Sequence, residues 1–168
     1  MRRNILSYGF TFILRVLVQV WILNNIQLSG YMNPYLYIMF LLILPFGTSF
    51  WLLIPAGFLL GITIDMFTNT PGLHAAASVF TAFVRPGVLS LIAPGDGYDS
   101  SQRPHITNMG IDWFLRYVII MTLLHHSVLF YLEIFRLTDF FYTLARVLFS
   151  SLFTVLLILI TDTLVYRK

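Results

Sequence analysis

Residues 49–77 read SFWLLIPAGFLLGITIDMFTNTPGLHAAA and decide the fold class. The first part, residues 49–67, is an apolar run that contains a single charged residue, Asp65. A helix needs roughly 20 apolar residues to cross a bilayer core about 30 Å thick. The run therefore predicts a transmembrane helix, and the turn sequence Asn-Thr-Pro-Gly at residues 69–72 predicts that the next helix begins directly after it.

The rest of the chain has the same apolar character. Hydrophobic residues make up 58% of the 168 residues and charged residues only 10%, whereas a soluble domain has about 25% charged residues. The mean hydropathy is +0.84. Such a chain cannot cover a water-facing surface with polar groups, so we expect an integral membrane protein. No nucleic-acid partner is expected, because no cluster of Lys and Arg exceeds two residues.

The apolar runs predict an all-α, compact bundle of about six transmembrane helices in a single domain, residues 1–168. The predicted helices cover approximately residues 8–28, 34–46, 49–67, 72–93, 112–136 and 138–165. The second is short for a bilayer, so we expect it to tilt or to lie where the membrane is thin. Arg85-Pro86-Gly87 predicts a kink or an early end of the fourth helix, with the residues after Pro86 along the membrane interface.

The distribution of Lys and Arg predicts the orientation, because short cytoplasmic loops and tails are enriched in these residues. An even number of spans places both termini on one side of the membrane. That side would carry five basic residues and the other side only Arg136; the five are Arg2, Arg3, Arg103, Arg167 and Lys168. We therefore expect both termini in the cytoplasm.

Gly57, Gly61 and Asp65 form the sharpest local pattern. Their spacing of four residues places them on one slowly drifting helix face, where two glycines allow another helix to approach closely. The small residues 75–78 that follow the turn are expected to fill this space. The carboxylate of Asp65 is then expected either to accept hydrogen bonds from the start of the fourth helix, near Gly72, or to pair with His74. The pattern fits a packed, capped helical hairpin better than a polar functional site at the outer membrane face.

Other ionisable residues within the predicted helices need partners, because an unpaired charge in a membrane costs about 2.5–3.5 kcal/mol on insertion scales. Arg15 and Gln19 share a face of the first helix. Glu133 and Arg146 lie near each other if the fifth and sixth helices form a hairpin, which predicts an ion pair. The alternative is that the Arg146 side chain extends to the headgroups.

No residue set predicts catalysis, a cofactor or a metal. The sequence lacks a Gly-x-Ser-x-Gly elbow, a His-Glu-x-x-His pair and a phosphate-binding loop. His125 and His126 are adjacent and point about 100° apart on a helix, so packed and hydrogen-bonded histidines are expected rather than metal ligands.

The order Gly57-x-x-x-Gly61-x-x-x-Asp65, followed by Gly72-Leu73-His74-Ala75, resembles the rod shape-determining protein MreD family. Asn33-Pro34, Pro45 and the small six-helix layout also fit that family, and the resemblance covers nearly the whole chain. One departure is the turn after Pro45, which often carries arginine in the family and has none here.

The resemblance implies a non-enzymatic membrane scaffold of bacterial cell-wall elongation in the inner membrane. It implies MreC, a single-span protein with a large periplasmic domain, as the binding partner, together with MreB, the peptidoglycan synthase and transpeptidase, and membrane lipid. The layout is also similar to that of the six-helix substrate-binding components of energy-coupling-factor vitamin transporters. A solute-binding subunit with a pocket beside Asp65 and His74 is therefore the alternative, and an intramembrane enzyme is a more remote one.

Overall fold

A computed structural model gives the structure of the protein and describes residues 2–26, 33–134 and 140–166. Helices are the regular secondary structure of the described residues, which contain no strand. The α-helices, in chain order, are α1 (Arg2–Trp21), α2 (Met39–Leu42), α3 (Phe50–Thr68), α4 (Leu73–Leu91), α5 (Ile106–Met109), α6 (Ile111–Ile134) and α7 (Phe140–Tyr166). Two short 3-10 turns, Leu23–Asn25 and Leu36–Ile38, follow α1 and precede α2.

Three helices of the described ranges, α3, α6 and α7, are long and apolar enough to cross a membrane. Helices α1 and α4 have similar lengths, 20 and 19 residues, but they contain the polar residues Arg15, His74 and Arg85. The three apolar helices fit the expected membrane protein. The structure does not contain all six of the predicted long helices, because shorter helical elements replace the second.

The predicted second helix, residues 34–46, was wrong. In its place lie one 3-10 turn and the four-residue helix α2, with a helical length of roughly 12 Å. The surrounding residues 33–44 form a segment inside the bundle, which we call the central segment, and its residues 36–44 are all buried. The prediction failed because burial inside a protein selects the same apolar residues as contact with lipid.

The first half of the central segment is held by side chains from two long helices. On α7, the hydroxyl oxygens of Ser150 and Thr154 accept hydrogen bonds from the backbone N–H groups of Asn33 and Tyr35, at 3.1 and 3.0 Å. On α1, the fully buried Gln19 donates to the Pro34 carbonyl at 3.0 Å. These bonds are needed because non-helical backbone at membrane depth must be satisfied within the protein.

The second half of the central segment is held by α4 and α6. Arg85 of α4 is 1% exposed, and its guanidinium donates to the carbonyl oxygens of Leu42 and Leu44. The Tyr117 hydroxyl on α6 donates to Leu42 at 3.1 Å and accepts from Arg85 Nε at 2.9 Å. Arg85 therefore caps the carbonyl end of α2, where no further helical turn supplies donors.

The long helices follow one another around the central segment. Helix α1 contacts α3, α3 makes its most extensive contact with α4, α4 packs on α6, and α6 packs on α7. We call the end of the bundle where α4 begins the His74 end, and the end near the 94–105 loop the Arg103 end. The short helix α5 follows this loop directly.

Helices α3 and α4 approach closely at the two predicted glycines. A Cβ atom on Gly57 would lie 2.8 Å from the Ser78 carbonyl oxygen, and one on Gly61 would overlap the backbone of His74 and Ala75. Residues 75–78 were expected to fill the space beside these glycines. Ala75 and Ser78 do so, whereas Ala76 is exposed.

Helix α4 runs through Pro86 to Leu91, so the predicted early end at residues 85–87, with later residues along the interface, was wrong. A single lost hydrogen bond at proline does not end a helix that is held by packing and by the buried Arg85 anchor, and α3 likewise continues through Pro55.

Part of the predicted orientation rests on residues outside the described ranges. Arg136, Arg167 and Lys168 belong to this group, as do the predicted helix ends at residues 28, 136 and 138. The predicted cytoplasmic location of both termini therefore stays a prediction.

The close α3–α4 approach predicts the effect of a single methyl group. We expect Gly61→Ala to lower the free energy of unfolding by about 1–3 kcal/mol, because the added Cβ would force two helix backbones apart. Gly87→Ala on α4 is the matched control, since its Cβ would meet nothing within 4 Å. Thermal unfolding in detergent would measure both, and a Gly61→Ala protein as stable as Gly87→Ala would contradict the packing described.

Candidate functional site

Asp65 lies at the centre of the hairpin between α3 and α4. It is 3% exposed, and its Oδ1 accepts hydrogen bonds from the Thr70 hydroxyl at 3.0 Å and the His74 backbone N–H at 2.9 Å. Its Oδ2 accepts from the backbone N–H groups of Gly72 at 3.1 Å and Ala75 at 3.0 Å. Of the two predicted alternatives for Asp65, the structure shows the capping of α4.

The local sequence explains this geometry. Asn69 and Gly72 adopt left-handed backbone conformations, with φ of 55° and 88°, which asparagine and glycine tolerate better than other residues. The two reversals bring the first N–H groups of α4 over the end of α3. The carboxylate opposes the dipole of α3 but favours that of α4, and four donors compensate its burial.

The ring of His74 faces a different partner. Its Nδ1 lies 2.9 Å from the hydroxyl of Tyr37 in the central segment, and the same hydroxyl lies 2.8 Å from Nε2 of His125 on α6. A phenol donates one hydrogen bond and accepts another, so one of the two imidazoles donates to Tyr37. Nδ1 of the fully buried His125 has no partner among the described residues. Sequence reasoning missed Tyr37, which lies within a plain apolar run.

His126 joins α6 to α7 and to the central segment. Its Nδ1 lies 2.9 Å from the Thr122 carbonyl oxygen and therefore donates, which leaves Nε2 of the neutral ring to accept from the Thr154 hydroxyl at 3.2 Å. His125 and His126 thus face different partners, as expected from their angular separation. Among the described residues, no three His, Asp or Glu side chains converge in a way that could hold a metal ion.

A polar cavity of about 290 Å³ lies at the His74 end. The 3-10 turn after α1 and the ends of α3, α4 and α6 surround it, together with the start of the central segment. Its polar lining comes from amide, hydroxyl, imidazole and carboxylate groups: Asn24, Asn33, Thr68, Thr70, His74 and Glu133. The cavity therefore offers hydrogen-bond donors and acceptors at the rim of the bundle, and His74 is the most buried of these polar residues.

The predicted ion pair between Glu133 and Arg146 is confirmed. Arg146 Nη2 lies 3.1 Å from Glu133 Oε2, and the guanidinium lies 4.4 Å above the ring of Phe130. Arg146 is buried, so the alternative of extension to the headgroups was wrong for this residue. The pair joins α7 to α6 beside the cavity. The positive charge of Arg146 compensates the negative charge of Glu133, which lines the cavity.

The remaining predicted site residues lie apart from the cavity. Gly57 and Gly61 lie deeper, in the α3–α4 contact. Arg15 is buried near Tyr166 and Asp162 of α7, toward the Arg103 end, and its Nη1 has no partner among the described residues.

Sequence reasoning also missed a second polar contact at the Arg103 end. His105 Nδ1 lies 2.6 Å from Asp162 Oδ1, and the backbone N–H of Ile106 donates to Asp162 Oδ2 at 3.0 Å. This contact fastens the 94–105 loop and α5 to α7. An acidic residue near the end of an apolar run was the available signal, but it did not identify a partner 57 residues away.

Comparisons of the chain with protein-family models, curated proteins and solved structures found no match.

The hydrogen bonds of Asp65 predict an order of stability among variants. We expect Asp65→Leu to be the most destabilised, because each buried N–H left without an acceptor costs about 1–3 kcal/mol. Asp65→Asn should be intermediate, since one amide oxygen can accept only part of the four bonds. Thermal unfolding in detergent would measure this, with the exposed Asp112→Asn as control.

If Asp65→Asn and Asp65→Leu are equally destabilised, then the charge, and not the capping, is what matters at this position.

Proposed function

We propose that this protein is a non-enzymatic scaffold of the bacterial inner membrane, similar to MreD. In this role it binds MreC and links it to MreB and to the peptidoglycan synthase and transpeptidase of cell-wall elongation. The motif of Gly57, Gly61 and Asp65, with Gly72 and His74, supports the proposal by resemblance. Both termini would lie in the cytoplasm, which places the His74 end toward the periplasm.

One structural observation carries the scaffold reading. The buried polar side chains mostly hold helices or the central segment in place: Asp65 caps α4, Gln19 and Arg85 bind backbone carbonyls, and Arg146 pairs with Glu133. A helical bundle whose buried ionisable groups hold its own helices in place is suited to presenting a fixed outer surface. Scaffolding requires such a surface and no chemistry.

Helix α7 offers the most regular surface for a partner helix. Exposed aliphatic side chains recur on it every four residues, at Leu148, Leu152, Leu156, Ile160 and Leu164. The first three also line an apolar groove of about 310 Å³ between α6 and α7. A groove between two helices can accommodate a third helix, and van der Waals packing drives such association in a membrane. We assign this surface to the transmembrane helix of MreC.

Site-specific crosslinking tests the proposal. A photoreactive amino acid at Leu152 or Leu156 should crosslink to MreC in native membranes. The same substitution at Leu59, an exposed residue of α3, is the matched control and should give less of that product. Affinity purification followed by mass spectrometry identifies the crosslinked protein.

Recovery of no wall-synthesis protein, from membranes in which the bundle stays folded, would contradict the scaffold proposal. Equal crosslinking of MreC from Leu59 would contradict only the assignment of the surface.

The cavity at the His74 end favours a second candidate function. A volume of about 290 Å³ lies at the lower end of the range for small-molecule sites, and its lining is partly polar. A solute-binding subunit similar to those of energy-coupling-factor transporters would use this cavity.

A solute-binding subunit predicts a bound molecule that purifies with the protein. Denaturation should then release one small molecule per chain, and Thr68→Trp, which fills the cavity from its rim, should abolish the release. Thr63→Trp on the same helix, outside the cavity, is the control. Mass spectrometry of the released fraction decides, and absence of any stoichiometric small molecule would contradict this second function.

A further inference from the structure

Apart from the polar cavity and the groove between α6 and α7, the bundle has an apolar groove of about 480 Å³ between α1 and α3, toward the Arg103 end. Tyr8 of α1 forms one wall, Leu52 and Ala56 of α3 form the other, and Phe40 and Leu44 of the central segment lie between them. The groove exists because α2 has only four residues and leaves the space between α1 and α3 incompletely filled. Its body is apolar, because Phe40, Leu44, Leu52 and Ala56 line it.

Polar groups occur at one end of this groove only. Ser49 precedes α3 and its side chain makes no capping hydrogen bond, and Ser100 belongs to the 94–105 loop; both are exposed and line the groove. An apolar body with hydroxyl groups at one end matches the division of a phospholipid into acyl chain and headgroup.

A cation lies at the same end. The Arg103 guanidinium lies 4.7 Å from the centre of the Tyr8 ring, which is the ring that lines the groove. Within the described ranges, no carboxylate lies within 4.0 Å of Arg103. The nearest acid along the loop, Asp99, accepts hydrogen bonds from the N–H and hydroxyl of Ser101, which lower the pKa of Asp99.

We propose that this groove binds one acyl chain of an anionic phospholipid, with the lipid phosphate on Arg103. The stacking of Arg103 on Tyr8 fixes the guanidinium above the groove opening, and the hydroxyls of Ser49 and Ser100 lie where the ester and headgroup oxygens of the lipid would be. In the orientation proposed above, the Arg103 end meets the cytoplasmic leaflet, which contains the anionic lipids that attract basic residues.

The two parts of the lipid contribute differently. Moving an acyl chain from bulk lipid into an apolar groove gains little, because lipid tails are as apolar as the side chains that line it. The groove therefore determines where the lipid lies, whereas Arg103 determines which headgroup is preferred. One arginine near a membrane surface corresponds to about a fivefold preference for an anionic over a zwitterionic lipid.

Native mass spectrometry of the full chain, released from detergent, tests this site. Phosphatidylglycerol and phosphatidylcholine with identical acyl chains would be titrated separately, and the first bound lipid compared. We expect about fivefold tighter binding of phosphatidylglycerol, loss of that preference in Arg103→Gln, and loss of the first bound lipid of either kind in Ala56→Trp, which fills the groove.

Arg116→Gln is the matched control, because Arg116 is an exposed arginine of α6 outside the groove. The proposal is overturned if the two lipids bind equally to the unmodified protein, if Arg116→Gln removes the preference as strongly as Arg103→Gln, or if a folded Ala56→Trp protein binds the first lipid normally. If Ala56→Trp does not fold, the comparison of the two arginine variants decides. No partner protein enters the experiment, so its failure leaves the scaffold proposal unaffected.

Discussion

The structure depends on one constraint, which is that the backbone of a short buried segment must find hydrogen-bond partners without water. The central segment, residues 33–44, has too few helical residues to satisfy its own N–H and C=O groups. Side chains of α1, α4, α6 and α7 supply the missing partners through Gln19, Arg85, Tyr117, Ser150 and Thr154. These five partners come from four different helices, with Ser150 and Thr154 both on α7, so satisfying the segment also fixes the helices relative to one another.

The same constraint relates the two candidate sites. At the His74 end, the start of the central segment leaves room for a polar cavity, and Tyr37 connects His74 with His125. Toward the Arg103 end, the shortness of α2 leaves an apolar groove between α1 and α3. The solute-binding and lipid proposals therefore use two different spaces beside the central segment, whereas the scaffold proposal uses the separate groove between α6 and α7, and each can fail without the others.

The sequence predicted the features that arise from residues close together in the chain. The α3–α4 approach at Gly57 and Gly61, the capping by Asp65 and the Glu133–Arg146 pair all lie within hairpins, where spacing alone brings residues together. The central segment could not be predicted, because its apolar residues look the same whether protein or lipid surrounds them. Arg85 was interpreted with Pro86 as an interruption, since its partners Leu42 and Leu44 lie about 40 residues away. The contact between His105 and Asp162 was missed for the same reason of distance along the chain.

Hydrogen exchange of the central segment tests this account most directly, because exchange reports whether backbone groups are protected from solvent. The account predicts that the amides of residues 37–44 exchange as slowly as those in the middle of α6 in the unmodified protein. It further predicts that Arg85→Met, which removes the guanidinium bonds to Leu42 and Leu44 and leaves only the Tyr117 hydroxyl on Leu42, speeds exchange in residues 37–44 before it affects α6. Exchange of residues 37–44 as fast as in the exposed 95–101 loop, or unchanged exchange in folded Arg85→Met, would contradict it.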